Sequence, residues 1–261
     1  MRSVNIIVII LWAVVYTKAQ NLVFNPSFEM FDECPEEVTM YSIKKLIPYW
    51  NIPTRGTTDY FNACAMYQVG VPNNVMGNML ALDSNAYAGI VMIESPPFCT
   101  KRENALDYRE YLQTKLKKPL ETGSLYVCKF YFSIASYSTY AVNRIGMYIS
   151  TDKEQDRFSA KALSLKPQIV YDTLNIACER DYWYLVCDTF RARGGEKYIT
   201  IGNFYDDLNT DVITLNNSNY RNYIRQKIKN NKIAYYYIDM VSVFQVSDTA
   251  SNFCKDKYLI K

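Results

Sequence analysis

The sequence has no histidine among its 261 residues, and this absence excludes several classes of enzyme. Ser-His-Asp and Cys-His catalytic sets need an imidazole as the base, so neither can be assembled. Cys-x-x-Cys pairs, zincin motifs and phosphate-binding loops are also missing, which argues against zinc and nucleotide chemistry. The sequence therefore predicts a protein that binds rather than catalyses. A glycoside hydrolase with two carboxylates stays open, because the separation of acidic side chains cannot be read from a sequence.

The chain also has little net charge and no linker rich in Pro, Ser or Gly. Its 29 basic and 26 acidic residues give a formal charge of +3. Removing residues 1–19 takes away Arg2 and Lys18 and no acid, so the charge falls to +1. A nucleic-acid partner is therefore not expected. The lack of a linker favours one β-sandwich domain over residues 21–246, followed by a short tail over residues 247–261.

Beyond the first twenty residues, the sequence has no apolar run long enough to cross a membrane. Within them, Arg2 precedes an apolar stretch over residues 4–15, and a small residue, Ala19, ends the segment. This pattern predicts a secretory signal peptide over residues 1–19, with a buried N-terminal helix as the alternative. We therefore expect a protein that is exported to the periplasm, the cell surface or the medium, where disulfides can form.

Most of the remaining chain has the alternation of apolar and polar residues that is typical of β-strands. Gly194 and Gly195 separate two of these segments and favour a hairpin turn. Cys128 lies on the apolar face of another segment and is expected to be a buried thiol. The spacing predicts an all-β fold, an antiparallel two-sheet jelly-roll sandwich with long loops, rather than βαβ units. The predicted strands cover residues 22–28, 85–93, 108–116, 125–135, 144–150, 182–191, 197–204 and 233–245.

The last of these strands contains a change of phase. Tyr236 and Ile238 are even-numbered, whereas Val241 and Val243 are odd-numbered, so the apolar face slips by one residue near Asp239. A β-bulge at Asp239 would restore a single core face and redirect the aspartate. Burial of both faces of the strand under neighbouring loops is the alternative.

Two short segments near the ends of the chain resemble a known group of folds. They are residues 25–29, Asn-Pro-Ser-Phe-Glu, and residues 235–243, which contain Tyr-Ile-Asp-Met-Val. Together they resemble the first and last strands of galactose-binding-like jelly rolls, which are common among carbohydrate-binding modules. Six segments between them are similar to the exported N-terminal module of Bacteroidota OmpA-like outer-membrane proteins. These segments are residues 53–64, 70–74, 85–90, 109–113, 140–143 and 199–204.

The resemblance implies a structural calcium ion between the two end segments. In the related modules the Glu of the first segment and the Asp of the last share the ion, which here points to Glu29 and Asp239. Asp83 or carbonyl oxygens of the turn at residues 84–85 would complete a shell of about six to eight oxygen ligands. Met240 stands where the family pattern has a second acid. The alternative is that both carboxylates accept hydrogen bonds without any metal.

The resemblance also implies a glycan ligand, from the cell envelope or an external polysaccharide. Asp59, Tyr60, Phe61 and Asn62 place acid, aromatic and amide side chains together in a segment expected to be a loop, and Asn143 belongs to another matching segment. Aromatic faces and a few hydrogen-bonding groups suit a small concave sugar site. Packing within the sandwich is the alternative role for each of these rings.

The second hypothesis for function is a structural or adhesion module whose partner is another envelope protein. It is favoured by a long insertion over residues 206–232, which leans basic and includes a short predicted helix over residues 220–228. Long ordered loops on a sandwich often carry ligand contacts. Retention on a glycan would favour the first hypothesis, and a discrete protein adduct after crosslinking would favour the second.

Seven cysteines in an exported chain predict disulfides, and the odd number leaves at least one thiol unpaired. Cys34 and Cys64 lie in the part of the chain that most resembles the family and flank a long irregular stretch, so we expect them to pair. Cys99, Cys178 and Cys254 are the competing partners. Closing the loop between Cys34 and Cys64 would stabilise the fold by roughly 3 kcal/mol through the entropy of the denatured chain.

Overall fold

The computed structural model of the protein describes residues 20–38, 42–95, 106–171, 176–215, 232–247 and 253–254. The predicted signal peptide, the predicted helix over residues 220–228 and most of the predicted C-terminal tail lie outside the described residues. Within the described ranges, no helix is long and apolar enough to cross a membrane. The helices there are α1 (Ser42–Leu46) and two single turns of 3-10 helix at Tyr67–Val69 and Asp207–Asn209.

Strands form most of the regular structure, as the alternating pattern predicts. The longest are rich in aromatic and β-branched residues, which pack well on a pleated surface. The strands are β1 (Trp50–Asn51), β2 (Asp59–Asn62), β3 (Asn73–Asn74), β4 (Gly77–Asn78), β5 (Ala86–Ser95), β6 (Leu112–Lys115), β7 (Leu125–Ile134), β8 (Tyr140–Val142), β9 (Ile145–Ser150), β10 (Ile169–Val170), β11 (Tyr184–Arg191), β12 (Tyr198–Asn203), β13 (Val212–Thr214) and β14 (Lys232–Val246).

Ten of these strands form two five-stranded antiparallel sheets. Sheet I has the order β1-β6-β12-β9-β10, and sheet II has the order β11-β7-β14-β5-β2. The remaining strands form two small ribbons, β8 with β13 and β3 with β4. The predicted antiparallel two-sheet sandwich is therefore confirmed. The predicted hairpin at Gly194 and Gly195 is wrong, because β11 belongs to sheet II and β12 to sheet I, so this turn connects the two sheets.

The core between the sheets is formed by alternate residues of the long strands. Phe130 and Phe132 of β7 belong to one buried cluster with Met92 of β5, while Ile199 and Ile201 of β12 enter it from sheet I. All five side chains are completely buried. Removing this apolar surface from water is the main favourable contribution to folding.

The outer face of sheet II is also buried, beneath residues 63–82, which we call the cover segment. Phe61, Tyr87 and Tyr237 lie on this face and pack against apolar residues of the cover segment. Asn74 fastens the segment to the sheet, because its Oδ1 accepts a 2.8 Å hydrogen bond from Tyr237 Oη and its Nδ2 donates to Tyr87 Oη at 2.9 Å. Sheet II is therefore covered on both faces along this stretch.

The change of phase in β14 is resolved by the predicted bulge. Asp239 pairs with Tyr131 of β7, but the next paired residue is Ser242, opposite Lys129, so β14 holds one extra residue. Met240 within the bulge has a φ of 51°, in the left-handed region. Before the bulge β14 is also buried on both faces, because its odd-numbered tyrosines pack under the cover segment.

The N-terminal segment does not form the regular strand predicted over residues 22–28. It runs beside the second half of β14, where Leu22 N donates to Val243 O at 2.7 Å and Val241 N donates to Pro26 O at 2.9 Å. Two residues with positive φ interrupt its strand geometry. The two segments that carry the resemblance are nevertheless neighbours, as the resemblance implies.

Two disulfides join distant parts of the chain. The predicted bond between Cys34 and Cys64 is confirmed, and Cys254, a predicted competitor, pairs instead with Cys187. Cys128 is a buried free thiol on the inner face of β7, as expected, and burial raises its pKa. Disulfides are typical of proteins that fold in an oxidising, extracytoplasmic environment.

Candidate binding site

The residues predicted to bind sugar on a loop lie in a buried strand. Asp59, Tyr60, Phe61 and Asn62 form β2, and their exposed fractions are 6% or less. The loop prediction is wrong because β2 is covered on both faces, with Tyr60 in the core and Phe61 under the cover segment. Asn62 donates to Tyr60 Oη at 2.7 Å and accepts from the N–H of Cys64 at 2.8 Å. These side chains therefore pack and hydrogen-bond within the protein, where a ligand does not reach them.

Asp59 belongs to a buried pair of carboxyl groups. Its Oδ2 accepts a 2.6 Å hydrogen bond from Tyr235 Oη, whereas its Oδ1 is buried without a hydrogen-bond partner among the described residues. Burial raises the pKa of Asp59 well above its usual value, and the nearby charge of Glu110 raises it further. Glu110 accepts hydrogen bonds from Thr57, Tyr108 and a backbone N–H of β5. This pair is enclosed by the protein.

The three residues predicted to bind calcium surround one turn, at residues 82–85. Asp239 Oδ2 accepts hydrogen bonds of 3.0 and 3.1 Å from two backbone N–H groups of this turn. Glu29 Oε1 accepts a 2.9 Å hydrogen bond from the N–H of Asn85. Asp83 lies in the turn itself and accepts from its neighbouring serine. The two end segments of the chain therefore bind the same turn.

The carboxylate oxygens of Glu29 and Asp239 do not fit a calcium ion in this arrangement. Oxygens that accept N–H hydrogen bonds face positive hydrogens, which a cation would have to displace. Asp239 Oδ1 also accepts from the N–H of Met240, and burial raises the pKa of Asp239 to about 8, which favours the uncharged form. Within the described ranges, no three acidic, histidine or cysteine side chains are grouped to hold a metal. The geometry favours hydrogen bonds without metal, and calcium stays a prediction.

Asn143, the remaining residue predicted to bind sugar, is completely buried and fixes the corner between β8 and β9. Its Nδ2 donates to Asp211 Oδ2 at 2.6 Å, and its Oδ1 accepts from the N–H of Asp211 at 3.0 Å. The next residue, Arg144, has a φ of 66° in the left-handed region. A residue with a Cβ is disfavoured there by roughly 1–2 kcal/mol. Asn143 therefore holds a strained corner that presents Arg144.

Arg144 stacks on the ring of Tyr205, with the guanidinium carbon 4.8 Å from the ring centroid. Both side chains are half-buried. The Nε of Arg144 is buried without a hydrogen-bond partner, and Arg144 takes part in neither of the ion pairs found in the described part of the chain. Because a guanidinium carries five N–H donors, the stacked group retains hydrogen-bonding capacity for a ligand.

The loop that carries Tyr205 is held on both sides of this residue. The N–H of Tyr205 donates to Asn203 Oδ1 at 3.0 Å, and its carbonyl accepts from Arg109 Nη2 at 2.8 Å. Arg109 is completely buried and forms a 2.8 Å ion pair with Asp207 in the same loop. Contacts within the protein therefore fix the conformation of this loop, which lowers the entropy lost on binding.

Two more aromatic residues lie on β9 and directly after β12. Phe204 is buried, and its centroid lies 6.1 Å from that of Tyr148, a half-buried ring on β9. We call the group formed by Arg144, Tyr148, Phe204 and Tyr205 the Arg144 corner. It combines two half-buried tyrosine rings with one charged group of hydrogen-bond donors, and aromatic and polar groups are the two kinds of contact that a saccharide uses.

Arg144 and Tyr205 are not among the site residues that the sequence predicts. The matching segment that contains Asn143 ends one residue before Arg144, so the corner was indicated but its charged residue was not. The chain has 24 tyrosines, and no local pattern distinguishes Tyr205 from the others. Only the fold brings these two side chains together, because they follow different strands.

The fold and the Arg144 corner define an antiparallel β-sandwich with a candidate ligand site beside one sheet. No protein-family model matches the sequence, and no curated protein matches it. Solved structures with similar folds share only 12% sequence identity with this chain. These similarities are weak, and no functional conclusion rests on them.

Three solved structures illustrate these weak similarities. The enzymatically active domain of bacteriophage CBA120 tailspike protein 4 has a TM-score of 0.35, and the match covers 87% of this chain but only 21% of that chain. The K1 cleaved adhesin domain of Lys-gingipain from Porphyromonas gingivalis W83 has a TM-score of 0.34, with coverage of 77% and 92%. TmCBM61, solved in complex with beta-1,4-galactotriose, has a TM-score of 0.33, with coverage of 87% and 100%.

Proposed function

We propose that the protein is an exported, non-catalytic binding module whose ligand is a glycan held at the Arg144 corner. The observation that carries this proposal is the contact between Arg144 and Tyr205, in which the half-buried guanidinium forms no ion pair or hydrogen bond with the described residues. Sugar rings present an apolar face to aromatic side chains and hydroxyl groups to polar ones. The corner supports this mode of binding with the half-buried rings of Tyr148 and Tyr205 and the guanidinium of Arg144.

A binding role is favoured over hydrolysis by the state of the buried carboxyl pair. A two-carboxylate glycosidase needs an acid and a base that both reach the scissile bond. Asp59 and Glu110 are 6% and 1% exposed, and both oxygens of Glu110 accept hydrogen bonds from protein groups. This pair is closed to a substrate, and the chain has no histidine to supply a different base.

A glycan array tests the proposal, supported by pull-downs on purified wall and capsular polysaccharides. We expect retention on at least one glycan, and we expect Tyr205→Leu to weaken it by about tenfold or more, because it removes the cation–π contact that holds the Arg144 guanidinium, which contributes on the order of 1–2 kcal/mol. Tyr198→Leu is the matched control, since Tyr198 is another half-buried ring at the opposite end of β12. Absence of binding to every glycan would contradict the proposal.

A protein partner is the second candidate, and the cover segment supplies an observation in its favour. Met66, Tyr67 and Leu80 expose 74%, 88% and 71% of their surface, and large exposed apolar side chains are a feature of protein interfaces. Crosslinking in intact cells separates the two candidates. A discrete protein adduct that Tyr67→Ser abolishes, with no sugar-reversible retention, would favour the protein partner.

A further inference from the structure

The guanidinium of Arg144 lacks a counter-charge in the part of the chain that the structure describes. Its face is stacked on Tyr205, its Nε is buried without a partner, and no described carboxylate lies within ion-pair distance of 4.0 Å. We propose that the Arg144 corner selects glycans that carry a carboxylate, such as those built from uronic acids. This inference rests on the proposed function and specifies the chemical class of the ligand.

Three acidic residues that follow β12 form contacts with groups other than Arg144. Asp211 is bound to Asn143, Asp206 caps the turn that follows it through Asn209, and Asp207 forms the buried ion pair with Arg109. The fold thus brings acids close to this region of the chain without pairing any of them with the stacked guanidinium. A positive group that the described residues leave without a counter-charge is suited to an anion from outside.

The guanidinium of Arg144 leaves its two terminal nitrogens for an anion. Its carbon lies 4.8 Å from the centroid of the Tyr205 ring, its Nε is buried, and no hydrogen bond joins the terminal nitrogens to the described residues. A carboxylate accepts two parallel hydrogen bonds from two guanidinium N–H groups, and this bidentate arrangement is stronger than contacts between neutral groups. Arg144 has a left-handed φ of 66°, a conformation that favours glycine.

A sugar carboxylate fits this corner better than a phosphate. A phosphate group carries about two negative charges near neutral pH and is usually matched by several cations. Arg109, the other arginine near this loop, is completely buried and already paired with Asp207. One guanidinium without a described counter-charge, beside the ring of Tyr205, matches a single negative charge on an otherwise hydroxylated ring.

Titration calorimetry with matched polymers tests this inference. The probes are polygalacturonate, alginate and hyaluronan, each paired with its carboxyl-reduced, neutral counterpart. We expect at least one acidic polymer to bind about tenfold or more tightly than its reduced form, and we expect Arg144→Gln to remove this preference. Arg193→Gln is the control, because Arg193 is exposed at the opposite end of β12 and its loss changes the net charge equally.

The outcomes separate this inference from the proposed function. Equal binding of the acidic and reduced polymers, or a preference that survives Arg144→Gln, would overturn the acidic-glycan inference while glycan binding itself stands. No binding to either form would overturn the inference, and a negative glycan array would then contradict the proposed function independently. Melting temperatures of both variants show whether they fold. If Arg144→Gln is destabilised, Arg144→Lys keeps the charge without the planar fork and should show a reduced preference.

Discussion

At the scale of residues, the buried carboxyl groups of Asp59 and Asp239 are the most informative feature of this molecule. Asp239 and Asp59 were both expected at functional sites, yet each accepts hydrogen bonds inside the protein. Burial is the largest cause of the raised pKa in both cases. Raised pKa values are common at functional sites, but they occur wherever a carboxyl group is enclosed. A functional carboxyl group faces a ligand, whereas Asp59 and Asp239 face hydrogen-bond donors of the protein itself.

The raised pKa of Asp239 predicts how stability changes with pH. Its pKa is about 8 in the folded protein against 3.8 for an ordinary aspartate, so the folded state holds the proton more tightly. The contribution to the free energy of unfolding is therefore fully present below about pH 4 and is lost as the pH rises through about 8. Denaturant unfolding from pH 4 to 9 measures it.

Asp239→Asn should flatten this part of the pH profile, because the amide does not titrate. Asp32→Asn, which changes an exposed aspartate, serves as the control. An unchanged slope in Asp239→Asn would contradict the assignment.

Tyr235→Phe tests the buried pair at Asp59. The change removes the 2.6 Å hydrogen bond to Asp59 Oδ2 and leaves that carboxyl group without a described donor. An unsatisfied buried polar group costs about 1–3 kcal/mol, so we expect a loss of stability of that size in urea unfolding. Tyr198→Phe removes a hydroxyl from a half-buried ring and should leave stability nearly unchanged. Equal effects of the two variants would show that the Asp59 contact contributes little.

At the scale of elements, the bulge in β14 shows what a periodic pattern can predict. The slip between even-numbered and odd-numbered apolar residues is a direct consequence of two-residue periodicity, so the bulge near Asp239 could be read from the sequence. The burial of a segment under loops could not be read from the sequence. Residues 59–62 look like a loop because glycine and threonine precede them, and only the cover segment turns them into a buried strand.

The candidate site was hard to predict for a related reason. Asn143 was recognised through a matching segment, but its contacts with Asp211 depend on a chain segment from a different part of the fold. Arg144 and Tyr205 come from the starts of two loops that only the sheet I register places side by side. Sequence periodicity describes which face of a strand is buried, whereas contacts between loop residues depend on tertiary structure.

Met240→Gly is a test of the bulge itself. Met240 has a φ of 51° and is 36% exposed, so glycine relieves backbone strain while removing little buried surface. We expect stabilisation of up to about 1 kcal/mol in denaturant unfolding. Met240→Val should have the opposite effect, because a β-branched side chain is least tolerated at positive φ. A stabilising valine would show that the left-handed conformation is not required.

At the scale of the whole molecule, hydrogen bonds and disulfides join segments that are far apart in the sequence. Cys34→Ser should lower the free energy of unfolding by about 3 kcal/mol, because the disulfide to Cys64 closes a loop with a sequence separation of 30. Cys64→Ser should lower the free energy of unfolding by the same amount, and the double variant should be no less stable than either single variant. A cost below about 0.5 kcal/mol would contradict a stabilising bond.

The melting temperature in EDTA and in millimolar calcium decides whether the end segments also share an ion. Glu29 and Asp239 already accept backbone hydrogen bonds from the turn at residues 82–85, so we expect the same melting temperature in both solutions. A ligand at one hundred times its dissociation constant would add about 2.7 kcal/mol to stability. A clear rise in calcium that Asp239→Asn abolishes would instead establish the calcium site.

The most direct test of the central claim is hydrogen–deuterium exchange with and without the best glycan from the array. If the ligand binds at the Arg144 corner, the amides of residues 143–148 and 203–211 should exchange more slowly in the complex. Residues 59–62, buried in β2, should exchange equally in both states. Protection confined to the cover segment at residues 63–82, with none around Arg144 and Tyr205, would contradict this account of the site.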